Sequence, residues 1–160
     1  MTCDSAKALI CERFGGAQVE ERPSDRRTAD GTRLLVVIVP KEEWPAFGRF
    51  TKETLNCRFF AFLTAVDWKE QGLEVVARVD NLDDRVSLMM KTRLGPDDST
   101  CPSLVPVFRG ADWMERECYD MFGIRFDGHP DLRRILLADD WEGHPLLKSY
   151  AVDTPHPPYR

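Results

Sequence analysis

Residues 58–94 read RFFAFLTAVDWKEQGLEVVARVDNLDDRVSLMMKTRL. Three runs rich in β-branched and aromatic residues, 58–67, 73–79 and 86–94, are separated by Lys69-Glu70-Gln71-Gly72 and by 81–85. Those separations have hairpin lengths, so three successive antiparallel strands are predicted. Immediately upstream, Trp44, Phe47, Phe50 and Leu55 recur on one helical face. Pro45 is tolerated only in a first turn, so that helix must start at 42–44 or kink there. Before it, 34–39 is an unbroken apolar run, as expected of an inner strand. Further back lie a polar connection at 23–32 containing Asp30-Gly31, a weak strand around Val19, and a first helix through Ala6, Leu9, Ile10 and Phe14. Ser5 is read as its cap and Gly15-Gly16 as its end. Downstream, 95–100 is turn-rich, and Asp112 is read as opening a third helix through Phe122, with Glu115 completing a capping box and Gly123 as the stop. The order is helix, two strands, helix, three strands, helix. It does not alternate as a doubly wound sheet would, so the fold class is α+β: a two-layer sandwich, a mixed β-sheet with helices on one face. Residues 1–126 are assigned to that domain. Residues 127–160, rich in Gly, Pro and charge, show no helix or strand pattern and form an extended C-terminal tail.

A chain of 160 residues suits one domain with a tail. Its 42% hydrophobic and 31% charged composition argues against general disorder. A net charge of −5 and a pI near 5.2 disfavour a nucleic-acid binder or a polybasic membrane anchor. No apolar run approaches the roughly 18 residues that span a bilayer, and residues 1–8 lack signal-peptide order. A cytosolic protein or a peripheral component of a complex is expected. Cys3, Cys11, Cys57, Cys101 and Cys118 make no C-x-x-C pair, which disfavours zinc ribbons and cluster loops and leaves reduced, mostly core, cysteines.

Phosphate-cradling and nucleophile-elbow motifs are absent from the sequence. Glu117 and Asp120, three apart on the third helix, could form a carboxylate pair for acid–base work. The structural account is the stronger one: both acids can pair with Arg116, Arg125, Arg133 or Arg134. His129, His144 and His156 each precede proline, at spacings that suit turns better than metal ligation. Trp113, Tyr119, Phe122 and Trp141 read as core or interface aromatics. Sixteen arginines against six lysines favour ion pairs at buried or interfacial positions, with Arg133-Arg134 anchoring the tail by bidentate pairing. From the residues alone the protein is a small component of a larger assembly, with a charged tail.

From 110 to 148 the sequence reads GADWMERECYDMFGIRFDGHPDLRRILLADDWEGHPLLK. It resembles the signature of the C subunit of NADH-quinone oxidoreductase, the 30 kDa-subunit family of respiratory complex I, in Glu115-Arg116-Glu117, Asp120, Phe122-Gly123-Ile124, Gly128-His129-Pro130, Arg133-Arg134, and Gly143-His144-Pro145 with Lys148. Residues 63–68 and Pro102-Ser103-Leu104 also look like family segments. Leu147 and Cys118 depart from the family, which often has arginine and an aliphatic residue there. The resemblance implies a cofactor-free, non-catalytic subunit of the hydrophilic arm, on the cytoplasmic side of the bacterial inner membrane and touching the membrane only through its complex. It implies docking on the large quinone-site (D) subunit, near the B and I subunits, with iron–sulfur clusters, FMN and quinone held by partners. Glu115, Arg116, Glu117, Asp120, His129, Arg133, Arg134, Trp141, His144, Lys148 and Tyr150 are the implied signature and interface residues. Alternatives are the equivalent subunit of a membrane-bound hydrogenase or other-donor dehydrogenase, and a free-standing metal-dependent hydrolase using His129, Glu117 and Asp120.

Overall fold

The computed structural model describes residues 1–23, 33–151 and 153. Strands β1 (Gln18–Pro23), β2 (Arg33–Ile38), β3 (Phe59–Asp67), β4 (Leu73–Asn81) and β5 (Val86–Arg93) form one sheet in the order β1-β2-β5-β4-β3. The β2–β5 pair is parallel and the other pairs are antiparallel, so the sheet is mixed. Helices α1 (Cys3–Arg13), α2 (Trp44–Glu53) and α3 (Ala111–Phe122) complete the α+β architecture. The 34–39 run is an inner strand, as its composition requires: Leu35 and Val37 are fully buried. The polar connection with its Asp30-Gly31 turn falls almost wholly outside the described residues.

Strand pleating explains how one core serves three helices. Register pairs Leu35 with Leu88, Val37 with Met90, Ala77 with Met90 and Leu63 with Ala77, so these side chains share a face. They join one apolar cluster with Ala6 and Ile10 of α1, Trp44 and Phe47 of α2, and Ala111 and Cys118 of α3. Phe14, Phe47 and Phe50 add edge and stacked ring contacts to that cluster. On the opposite face Glu74 is buried beneath Lys91 and Arg93 and accepts from the Trp68 indole. The outer amide of β3, which would otherwise be an open edge, is partly occupied: the Leu63 N–H donates to Met114 Sδ of α3 at 3.1 Å.

At the helix starts, the caps of two helices differ from expectation and the start of α2 agrees with it. Thr2, not Ser5, caps α1; Ser5 is the third helical residue and closes a reciprocal capping box with Thr2. Helix α2 begins behind a short 3₁₀ turn at Lys41–Glu43, which puts Pro45 in its first turn, where proline is well tolerated. Helix α3 starts at Ala111 with Gly110 at the cap and no side-chain capping bond, so neither Asp112 nor Glu115 caps it. Gly123 does end it, in the left-handed conformation at φ 75°. A short parallel pair, β6 (Thr100–Pro102) and β7 (Arg125–Asp127), adds to the expected elements. Three-residue strands, one of them ending in proline, leave no periodic signal in a sequence.

Gly72 turns β3 into β4 at φ +89°, and a Cβ there would lie 2.4 Å from the Leu94 carbonyl oxygen. Gly72→Ala is therefore expected to cost more than about 1 kcal/mol. Gly16→Ala, with nothing within 4 Å of the new carbon, should be close to neutral. Chemical denaturation of the two variants checks the contrast.

Candidate functional site

Helix α3 carries the acidic signature residues, and its side facing away from the sheet is where residues 128–150 return. Asp120 is the meeting point. Its side chain is fully buried, and its Oδ2 accepts the backbone N–H groups of Ile135, Leu136 and Leu137 at 3.1, 2.8 and 2.9 Å. Its Oδ1 accepts from Arg134 Nη1 at 2.6 Å. Burial alone would raise this carboxyl, but the amides and the guanidinium outweigh it and hold the group below the ordinary carboxylate value.

Arg134 then binds the next loop, donating from Nη2 to the carbonyls of Trp141 and Gly143 at 2.8 and 3.1 Å. The expected bidentate grip on a carboxylate is not what it makes. One carboxylate oxygen and several carbonyls share its fork instead, which a planar five-donor group can serve and an ammonium cannot. Arg116, one turn before Asp120, donates to the carbonyls of Arg133 and Arg134 at 3.2 and 3.0 Å. Arg133 points out to solvent and, among the described residues, pairs with Asp131.

Both described histidines are consumed by the same wrapping. His129 Nδ1 accepts the Asp131 N–H at 3.0 Å, so Nε2 carries the proton and donates to the Asp112 carbonyl at 3.1 Å. His144 Nδ1 donates to the Asp120 carbonyl at 3.0 Å, capping the C-terminus of α3, and its ring stands edge-on to Tyr119. That ring also explains Gly123 a second time, because a Cβ at 123 would meet it at 2.8 Å. Gly143, at φ 85°, makes similar room for the half-buried Tyr150 ring. Farther along, the Leu146 N–H donates to the Met121 carbonyl, and the Lys148 N–H to Asp67 Oδ2 at 2.8 Å. Lys148 thus acts through its backbone.

Glu115 has a different environment on the core side of α3. Fully buried, it accepts from Ser103 Oγ and the Leu104 N–H, both at 2.6 Å. Burial pushes its carboxyl up to about 7, and the two hydrogen bonds only partly oppose that rise. Glu117 faces solvent while Asp120 is buried, so the two do not form the carboxylate pair that the spacing allows. Of the sequence candidates, Glu115, Arg116, Asp120, His129, Arg134 and His144 are internally bonded, with Trp141 and Tyr150 half-buried beside them. Glu117, Arg133 and the Lys148 side chain point outward. Ser103 and Asp67 belong to the arrangement although nothing marks them in the sequence beyond lying in the two short upstream segments. Burial also pushes the Cys57 thiol up to about 12 and raises those of Cys101 and Cys118, which keeps them protonated core residues. Among the described residues no three His, Cys, Asp or Glu side chains are arranged to hold a metal ion.

Asp120→Asn leaves part of the amide nest facing an NH₂ group and strands the Arg134 charge, so a loss of about 3–5 kcal/mol is expected, with collapse of hydrogen-exchange protection at the 135–137 amides. Arg134→Lys should cost less and mainly expose 141–143. Glu115 sets a pH dependence of opposite sign to Asp120. Between its ordinary 4.5 and about 7 the folded chain holds a proton that the unfolded chain has lost, so stability falls as pH rises through that window. Thermal melts from pH 4.5 to 7.5 should show roughly 3 kcal/mol of this decline in the parent and a flat profile in Glu115→Gln.

Comparison with known proteins places these residues in a family. Residues 37–156 match the respiratory-chain NADH dehydrogenase, 30 Kd subunit family. The NADH-quinone oxidoreductase C subunit of Geotalea uraniireducens (strain Rf4) is 39% identical over 129 residues, which cover 79% of each chain. A protein of Bdellovibrio bacteriovorus, named as the C/D subunit of NADH-quinone oxidoreductase, is 42% identical over 117 residues, 72% of this chain but 21% of that longer one. The trypsin-resistant fragment (1–134) of Nqo5 shares the fold at TM-score 0.62 and 24% identity, with 80% of this chain and 98% of that one covered. A polypeptide of an archaeal membrane-bound sulfane sulfur reductase superposes at TM-score 0.73 and 26% identity, over 93% of this chain and 85% of that one. The chain therefore belongs to the 30 Kd subunit family of the respiratory-chain NADH dehydrogenase, the family that includes the C subunit of NADH-quinone oxidoreductase.

Proposed function

We propose that the chain is a non-catalytic structural subunit of the hydrophilic arm of proton-translocating NADH-quinone oxidoreductase, holding no redox centre itself and docking on the large quinone-site (D) subunit, near the B and I subunits. The observation that carries this reading is the closed set of bonds around Asp120. Apart from the exposed Glu117, the signature side chains that could do acid–base or metal chemistry are bonded within the chain: His129 and His144 in turns, Asp120 in its amide nest, Glu115 on Ser103 and Leu104. A hydrolase built on His129, Glu117 and Asp120 would need those groups to converge on a substrate, and Asp120 and His129 are turned inward.

Relatives in which C and D share one name and one longer polypeptide support the D subunit as the partner. No helix among the described residues is long and apolar enough to cross a membrane, which agrees with peripheral attachment through the complex. The cytoplasmic face of the inner membrane is proposed from the family resemblance. The equivalent subunit of an other-donor complex has one observation behind it, the sulfane sulfur reductase neighbour at 26% identity. Several NADH-quinone relatives stand near 40%, and the NADH-linked reading is preferred.

Affinity purification of the tagged chain from its own cells is expected to recover the D, B and I subunits together with NADH-quinone reductase activity. Deleting the gene should abolish that activity, and restoring the parent chain should return it. Recovery of the chain alone, carrying stoichiometric metal and hydrolytic activity, would overturn the proposal.

A further inference from the structure

Trp113 is 70% exposed, more than any other large apolar side chain among the described residues. It lies on α3 four residues before Glu117 and seven before Asp120, so the three form one row along the helix. The far end of the row is fixed by Asp120 Oδ2, which holds the Leu136 backbone while the Leu136 side chain, 62% exposed, points away. Leu146, 53% exposed, is pinned at the C-terminal end of α3 through the bond of its N–H to the Met121 carbonyl. On the helix between Trp113 and Asp120 stands the Glu117 carboxylate, exposed and bonded to no described residue.

A single exposed apolar residue needs no explanation. Here an exposed indole and an unpaired carboxylate on α3 are joined by two exposed leucines whose backbones are tied to Asp120 and Met121, so little further ordering is lost when a partner covers them. That combination of a rigid aromatic anchor with a nearby charge marks an interface centre. The occupant follows from the fused relatives. Where C and D share one polypeptide, the D portion stays within tethered reach of this fold at high effective concentration. Resting on the function proposed above, we infer that the row Trp113, Glu117, Leu136 and Leu146 is the surface that docks on the large quinone-site subunit, with the indole entering an apolar pocket there and Glu117 meeting a lysine or arginine.

The test is made in the assembled complex, with the photoreactive residue p-benzoylphenylalanine replacing Trp113 or Leu136 in turn. As controls it replaces Phe59 and Trp68, exposed side chains of the sheet face opposite the helices. Cross-links to the quinone-site subunit from 113 and 136, and none to it from 59 and 68, are expected. Trp113→Ala and Glu117→Arg should each lower its retention at least tenfold while leaving the melting temperature of the purified chain unchanged, since neither side chain is buried. Cross-links to it from 59 or 68 alone would overturn this face while sparing the proposed function. Cross-links from 113 to a second copy or to another component of the complex would also overturn it. Failure of the parent chain to carry the quinone-site subunit at all would sink the proposed function itself.

Discussion

A carboxylate taken out of water must be met by hydrogen bonds or it will not stay charged, and Asp120 is met in full by three amides and a guanidinium. The rest of the C-terminal segment hangs from that exchange. The amides belong to three consecutive residues, so their backbone has one conformation in which all can point at one oxygen. Arg134 sits immediately before them, and its remaining donors reach forward to the Trp141 and Gly143 carbonyls, which brings His144 onto the end of α3. Among the described residues, a segment with no helix and no strand beyond Asp127 is held through one buried charge.

Glu115 and Asp120 lie on one helix and are both buried, yet they titrate in opposite directions. The difference is the number and charge of the donors. Glu115 receives one hydroxyl and one amide with no cation near, so desolvation wins. Asp120 receives four donors, one of them cationic, so bonding wins. The two acids also tie different things together: Glu115 joins α3 to the 103–104 loop beside β6, and Asp120 joins it to 134–137.

How much of this is legible in the sequence can be argued residue by residue. The three hairpin strands, the inner apolar strand and the Gly123 stop follow from local rules of alternation, length and φ, and they stand where those rules put them. Caps are harder, because Ser5 and Asp112 satisfy the same residue preferences one to three positions away from the true starts. The segment 127–160 shows no helix or strand pattern because pattern reading counts apolar periodicity, whereas residues 134–144 are tied to α3 by polar bonds across 14 to 24 positions. Residues 154–160 lie outside the described residues. Among the signature side chains, type alone cannot separate Asp120, inward and bonded, from Glu117, outward; only their angular positions on α3 relative to the returning chain do so.

The parallel pairing of β2 with β5 has a consequence for synthesis. Strands β3, β4 and β5 are sequential hairpin neighbours and can pair as soon as they leave the ribosome, whereas β2 must wait for a partner more than fifty positions later in the chain. During that interval an apolar strand stands with one edge unmet, the state in which nascent chains associate wrongly. Its partner β1 already covers the other edge, and there Glu20, Glu21 and Arg22 with Pro23 at the end keep the outer side of β1 from being a second sticky edge. Vectorial translation thus turns a matter of sheet order into one of timing, and places the vulnerable moment of this protein's life before residue 93 has emerged.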